Sequence, residues 1–495
     1  MIEIRRITVL FMLIGLLAPV LGCVAVSSPT IGPALQKQSL ELAKQLEQSG
    51  MLLDDPELTA YVSSVGSRIV AEAESSPVPA FAFAVLDAPE PNAFSIPSGH
   101  VYISRGLLVL LENEDELAGI LGHEVAHVLE QHSLKQTAGS LTFAPIRLVT
   151  AVGGGLVGLA LPRVGGAVQA TGEVPAALAG ASYGRSQENE ADRVGQDLAI
   201  RAGWDPSGLP RVMDALAAQQ RIYGQDPGAI SWFATHPPSP DRAARLRERA
   251  AAVDRTAGES VAIPRRDFLA RLEGLVVGES AAGGVFVGNT FFHPGLGIAV
   301  HFPAGEGWIY LNTERAVAAA REQPPAAVIL ELVAKGDDAL AAAKAFEPKA
   351  GKLDAPPAPE RVNGLETAYA TGGVKRRWGK PSIRASARWI AFDGYVYRIL
   401  SESTDSGYAR FAEDFDAAER SLRALAPADR EQIFERRLRI VEARDGEALS
   451  ALLDRVGSTW DAAQAAAANG IETSHRFAAG ELVKVTRREA YSSEL

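Results

Sequence analysis

The sequence predicts an α+β multidomain chain: a mainly α-helical first half with a small edge sheet, an antiparallel α+β region, and a closing βααβ segment. Three observations carry that prediction. At 495 residues the chain exceeds what one hydrophobic core organises, and length alone suggests about three domains. Up to residue 255 the apolar positions recur mostly at helical spacing, whereas from 286 onward they alternate over short runs, as half-buried strands do. The last segment reads strand, helix, helix, strand. Apolar residues make up 47% and charged residues 22% of the chain, which is ordinary for a folded soluble protein. The net charge of −11 comes without any basic block, so a nucleic-acid partner is not expected.

Residues 1–22 read as a signal peptide, with Arg5 and Arg6 ahead of the apolar run "ITVLFMLIGLLAPVLG". The chain's single cysteine, Cys23, follows at once. One cysteine makes neither an internal disulfide nor a cysteine-based zinc site. "VLGC" resembles a bacterial lipobox, which implies cleavage before Cys23, lipidation of that residue and a tether over 23–32. An ordinary signal anchor is the alternative. Val24, rather than an aspartate, follows the cysteine, and by the lipoprotein sorting rule this implies a periplasm-facing lipoprotein anchored in the outer membrane. Such acyl chains hold a protein to the bilayer with about 0.8 kcal/mol per buried methylene.

The elements then follow in order. Residues 33–255 form the first domain: two helices over 33–76, a strand at "AFAFAVLD" (80–87), and two short strands in "NAFSIPSGHVYISRGLL" (92–108) broken by Pro97 and Gly99. A long helix, an apolar stretch at 145–161, a helix from 186 to 202 and two further helices complete it. The 145–161 stretch carries Arg147 and four glycines; it reads as a glycine-rich loop or short helices, with a membrane-dipping lid as the alternative. Residues 256–285 read as a linker and 286–425 as an antiparallel sheet with flanking helices, without a catalytic pattern. His293 and His301 stand alone there. Residues 430–490 give the closing βααβ order, with Asp445-Gly446 after the first strand and Ala479-Gly480 before the last. That arrangement resembles a LysM module, which implies a possible peptidoglycan partner; a packing domain without glycan affinity is the other reading.

Chemistry concentrates in "GHEVAHVLEQH" (122–132). Asn113 with Glu116 three residues on begins the helix as a capping box does. Leu117, Ile120, Leu121, Val125 and Val128 form its apolar stripe. His123 and His127 lie one turn apart at the edge of that stripe, so both imidazoles converge on one ion. Glu124 lies beside the ion, where a general base for zinc-activated water belongs. His132 falls on the opposite side if the helix continues, and is read as structural. A catalytic zinc takes three protein ligands. The metzincin pattern would place glycine and histidine where this chain has Glu130 and Ser133, so that class is excluded. "SQENEADRVGQDLA" supplies a carboxylate instead. Glu188 and Asp192 share a helix face with Ala191, Gly195 and Ala199, small residues that let two helices approach closely. Asp192 is then placed to accept from a ligating imidazole, and Glu190 points elsewhere.

HExxH followed by ExxAD, preceded by "NAFSIPSGHVYISRGLL" and followed by "THPPSPDR", resembles the zinc endopeptidases that include CAAX prenyl proteases, HtpX and the periplasmic BepA-type proteases. The resemblance covers residues 40–250. It implies a zincin-type (gluzincin) peptidase domain with one Zn2+ per chain on His123, His127 and Glu188, Glu124 as general base, and His236 and Arg242 of the "HP" segment at the metal or the transition state. It further implies that the strand at Asn92, Ala93, Phe94 and Ser95 receives extended substrate by β-pairing. The implied activity is hydrolysis of misfolded or unassembled envelope proteins. A catalytically inactive or latent peptidase-fold scaffold or chaperone, bound to peptidoglycan through its C-terminal module, is the alternative. The membrane helices of the first two groups and the helical repeats of the third are absent from the sequence, so substrate identity does not carry over.

Overall fold

The computed structural model describes residues 32–48, 50–132, 183–223, 232–237, 240–253, 260–312, 317–348, 351–374 and 382–492. The expected signal peptide, Cys23 and the 145–161 stretch lie outside the described residues. Among the described residues, no helix is long and apolar enough to cross a membrane.

The first region opens with α1 (Pro33–Gln48) and α2 (Pro56–Ala71), followed by β1 (Ala82–Leu86), β2 (Ala93–Ser95) and β3 (His100–Ser104). β3 is central, parallel to β1 and antiparallel to β2, with Phe94 opposite Tyr102. Then come α3 (Arg105–Leu110), α4 (Glu114–Leu129), α5 (Arg185–Arg201), α6 (Gly208–Tyr223), α7 (Trp232–Thr235) and α8 (Pro240–Ala252). Fourteen of the sixteen residues of α4 are buried. A helix apolar on nearly every side belongs inside a core, and α2, α5 and α6 pack around it.

Residues 260–285 depart from the linker expected there. They carry α9 (Arg265–Leu272), whose Phe268, Leu269 and Leu272 are fully buried. A linker reading rested on polarity, since four of the helix's eight residues are charged; its apolar side nevertheless completes the core.

The antiparallel region follows. It runs through β4 (Val285–Val287), β5 (Thr290–His293), β6 (Ile298–His301), β7 (Ile309–Asn312), β8 (Val317–Arg321) and β9 (Ala326–Lys335). The helix α10 (Ala339–Lys344) leads to β10 (Lys352–Leu353), β11 (Ala358–Val362), β12 (Leu365–Val374), β13 (Ile383–Phe392) and β14 (Tyr395–Thr404). Next are α11 (Asp405–Glu419), β15 (Arg423–Ala424) and α12 (Pro427–Arg430). The main sheet runs β10-β12-β13-β14-β9-β8-β7 with β11 added on β12, and a second sheet runs β15-β6-β5-β4. The two faces of the main sheet are covered separately. One buries Phe411 and Phe415 of α11, the other Ala339 and Ala343 of α10.

The closing segment forms β16 (Phe434–Glu442), α13 (Leu449–Val456), α14 (Ala462–Ala468) and β17 (Leu482–Ala490), with β16 antiparallel to β17. It does not stand apart. Leu438, Leu452, Trp460, Phe477 and Val485 belong to the same apolar cluster as Leu107, Leu117 and Phe268 of the first region. Backbone bonds stitch residues 274–277 along β16: Gly274 N–H donates to the Leu438 carbonyl at 2.9 Å and Val277 N–H to Arg436 at 2.7 Å.

Candidate metal centre

The site is built on α4, where Asn113 is the N-cap as expected, although the return bond of the capping box is shifted by one residue. Asn113 Oδ1 accepts from Glu116 N–H at 3.1 Å, and Glu116 Oε2 accepts from Glu112 N–H at 2.7 Å. Glu114, Asp115 and Glu116 fill the first turn, where negative charge suits the helix dipole. Two turns on, α4 meets α5 backbone to backbone. A Cβ at Gly195 would lie 2.6 Å from the Gly122 carbonyl and from His123 N, and one at Gly122 would lie 2.7 Å from Gly195 O. Only hydrogen at both positions permits that approach, which is the closeness the small face of α5 predicts.

This contact brings four side chains together. One donor atom each from His123, His127, Glu188 and His236 all fall within 4.8 Å of one another, and all four residues are buried. The two Nε2 atoms of His123 and His127 are 3.0 Å apart. Glu188 Oε2 is 3.8 Å from His123 Nε2, and Oε1 is 3.5 Å from His127 Nε2. Donors 2.0–2.1 Å from one tetrahedral zinc sit about 3.4 Å apart. The observed separations bracket that value, so the donor set fits one divalent ion. His236 Nδ1 adjoins the same group, 3.2 Å from His123 Nε2 and 2.9 Å from Glu188 Oε1.

Glu124 belongs to a different set. Its Oε2 accepts from Ser95 Oγ and its Oε1 from Trp232 Nε1, each at 3.3 Å, and His236 Nε2 lies 3.4 Å from Oε1. The carboxylate thus stands beside the four-residue cluster, held by two neutral donors. Trp232 is fully buried and stacks on His236, ring centroids 4.7 Å apart and planes 17° off parallel. Tyr183 stacks on His127 at 3.9 Å.

Asp192 and Arg242 brace the ligands from behind. Asp192 Oδ1 is 3.1 Å from His123 Nδ1, in close contact but outside in-line hydrogen-bond geometry. Arg242 grips Asp192 with Nε at 2.8 Å and Nη2 at 2.7 Å, while Nη1 lies 2.6 Å from Glu188 Oε2. Burial pushes the Asp192 carboxyl up, but the Arg242 fork and His123 outweigh it and hold it at about 2. Burial, reinforced by the neighbouring imidazoles and Arg242, drives His127 well below the usual imidazole range, and a neutral imidazole is the form a metal binds. Burial alone would lower His236, yet Glu124 and Glu188 raise it. Arg242, which the family resemblance assigns to the metal or the transition state, has its guanidinium committed to Asp192, Glu188 and the Pro237 carbonyl. In this structure it holds Asp192 and Glu188.

Other expectations fare differently. Ala93, Phe94 and Ser95 do form an edge strand, and Asn92 precedes it with its N–H bonded to Ser104 Oγ at 2.9 Å. All four are buried, between 0% and 6% exposed, and Ser95 reaches the Glu124 carboxylate. His132 lies beside His127, not across the helix. The helix reading failed there because α4 stops at Leu129 and Gln131 turns left-handed at φ 53°. Trp232, Tyr183 and the bond from Ser95 to Glu124 have no sequence signature; Trp232 stands four residues before His236, a spacing that hints at a shared helical face only in retrospect.

Comparison with known proteins now adds to this geometry. Residues 56–250 match the model for peptidase family M48. The beta-barrel assembly-enhancing protease of Escherichia coli (strain K12) is 34% identical over 233 residues, 47% of each chain. The mitochondrial metalloendopeptidase OMA1 of Schizosaccharomyces pombe is 29% identical over 38% of this chain and 52% of its own. Metalloprotease YcaL of Escherichia coli is 31% identical over 32% and 58%. The chain spans about half the length of the curated relatives it matches. Solved structures such as LpqN of Mycobacterium tuberculosis match at 13% identity over 25% of this chain and 82% of that one, with a TM-score of 0.21, too distant to assign any part of the chain.

Proposed function

Residues 56–250 form a zinc metallopeptidase domain of peptidase family M48, and from that premise we propose that the chain is an endopeptidase acting on misfolded or unassembled proteins of the bacterial cell envelope. One observation carries the chemistry: two helices deliver two imidazoles and a carboxylate at tetrahedral ligand spacing, with a further buried carboxylate alongside. His123, His127 and Glu188 would hold the zinc. Bound there, zinc supplies the Lewis acidity that makes water nucleophilic near neutral pH and polarises a carbonyl.

The chain's own residues do the rest. Glu124, fixed by Ser95 and Trp232, accepts a proton from the attacking water and returns it to the leaving amine. His236 faces the same space and donates to the developing oxyanion. Asp192 and Arg242 keep His123 and Glu188 in place. The strand from Ala93 to Ser95 lies against α4 and supplies the edge along which an extended segment pairs. The envelope setting is supported by the leader and lipobox around Cys23 and by similarity to a beta-barrel assembly-enhancing protease. The scaffold alternative has less support, because the base and all three ligands are present and assembled. Peptidoglycan affinity of 430–490 is likewise unsupported: α14 of that segment packs on α3 and α6 of the peptidase region.

Glu124→Gln tests the assignment. The variant should retain zinc and lose cleavage of unfolded casein; cleavage at the wild-type rate would refute the base.

A further inference from the structure

The mechanism leaves unexplained why two more titratable side chains continue from the buried metal site out to the half-exposed Glu190. His127 Nδ1, on the ring edge away from the ligand cluster, lies 3.0 Å from His132 Nδ1. His132 Nε2 lies 3.2 Å from Glu190 Oε2. His132 is fully buried, and its backbone carbonyl accepts from Gln187 Nε2 at 3.1 Å. The two rings meet edge to face, 75° apart. The left-handed turn at Gln131 is what folds His132 back under the preceding turn of α4.

The proton positions follow by elimination. A histidine that offers Nε2 to a metal is neutral and carries its proton on Nδ1. That N–H donates, so His132 accepts on Nδ1 and is itself protonated on Nε2. The Nε2–H then donates to the Glu190 carboxylate. Every bond in the row has one donor and one acceptor, and reversing any one of them leaves two donors or two acceptors facing each other.

We infer that His132 and Glu190 are positioning residues for the zinc: a relay that fixes the tautomer and orientation of His127 and carries the negative charge of Glu190 to its ligand nitrogen. Carboxylates that accept from a ligating imidazole raise its basicity; here the carboxylate acts through a second imidazole. The arrangement also spans the site, because Gln187 and Glu190 belong to α5, the helix that provides Glu188. The inference rests on the metallopeptidase reading above, and its test is chosen so that the two fail separately.

Zinc affinity of the purified full-length protein, measured by competition with a chromophoric chelator, is the readout. His132→Ala should weaken zinc roughly 10–100-fold, as loss of an outer ligand partner does. His132→Asn places an amide oxygen where Nδ1 stands, so it keeps the acceptor for His127 but cuts the link to Glu190. It should recover only part of the loss and stay below wild type. Glu190→Ala should fall at the same level as His132→Asn, since both keep orientation and remove the charge. His132→Ala that is folded by circular dichroism yet binds zinc as tightly as wild type would overturn the relay. If that variant does not fold, Glu190→Ala and His132→Asn decide instead, and wild-type affinity in both would overturn it. His127→Ala separates the readings: a protein that still binds zinc there breaks the metal assignment itself, whereas loss of zinc in His127→Ala with none in the others sinks only the relay.

Discussion

Gly195→Ala adds one methyl group two helical turns from Glu188, yet it should disable the site. The added Cβ would stand 2.6 Å from the carbon and oxygen of Gly122 and from His123 N. Ordinary contact needs about 3.5 Å, so α4 and α5 must part or rotate by about 1 Å. None of the atoms it meets is a flexible side-chain end; all are backbone of the metal helix. Metal–ligand distances tolerate only about 0.2 Å, and Glu188 rides on α5 two turns away, so the carboxylate leaves the histidines. Zinc affinity and kcat/KM should each fall about 100-fold, the usual consequence of a displacement near 1 Å, while overpacking destabilises by about 1–3 kcal/mol. Chelator competition and casein hydrolysis measure the first two, and circular dichroism establishes that the variant is folded. Ala191→Gly, which removes bulk from the same helix face, serves as the control and should keep zinc. If Gly195→Ala binds zinc and cleaves like wild type, the close helix contact is not what delivers Glu188.

Three other outcomes follow from the coordinates. Trp232→Phe keeps the ring against His236 but removes the donor to Glu124 Oε1; at 3.3 Å the bond is a weak charged one, so kcat should drop about tenfold with zinc content unchanged, read by steady-state kinetics beside metal analysis. Lys484→Met removes a fully buried ammonium that donates to the Val109 and Leu111 carbonyls at 2.9 and 2.8 Å and stands 2.8 Å from Glu112. Breaking a buried pair costs about 3–5 kcal/mol; since Arg265 remains on Glu112, the lower end is expected in urea unfolding, and an unchanged midpoint would contradict the contact. Glu419 gives the pH dependence. Burial raises its carboxyl from 4.5 to about 7, against the pull of Ser386 and Arg388. The folded state therefore holds the proton that the unfolded state releases, so this stability is complete below pH 4.5 and is lost as pH rises toward and through 7. Glu419→Gln should flatten that slope in denaturation series at pH 5, 6 and 7.

How far the sequence reaches depends on whether a contact leaves a periodic trace. The α4 cap, the one-turn offset of His123 and His127, and the small face of α5 are local patterns, and each marks its helix correctly. His132 escaped because the helix ends at Leu129 and a single left-handed residue, Gln131, turns the chain where helical counting continues it. Helical counting cannot foresee a turn made by glutamine, which favours no such conformation. Trp232 and Tyr183 escaped for another reason: they reach the site from segments whose placement is decided by tertiary packing alone. The strand "ELVKVTRR" misleads in the same way. Its alternation of Val483, Lys484, Val485 and Thr486 reads as a sheet with one wet face, yet all four are buried.

The reason both faces of β17 are buried over Val483–Thr486 joins the end of the chain to its chemistry. The α3–α4 junction presents carbonyls with no helical partner, because the last turn of a helix leaves them unpaired. Lys484 satisfies two of these and meets Glu112, one residue before the cap of α4. Glu116, in the first turn of α4, accepts from Glu112 N–H, and burial pushes its carboxyl up to about 7 despite Lys484 and Arg211 nearby. The N-terminal end of the metal helix is thus closed by a side chain that the chain supplies 375 residues after Val109. A module that offers its polar strand face to the peptidase core has that face already occupied. What the closing βααβ segment contributes first is therefore the completed setting of α4, on which the spacing of His123 and His127 from Glu188 depends.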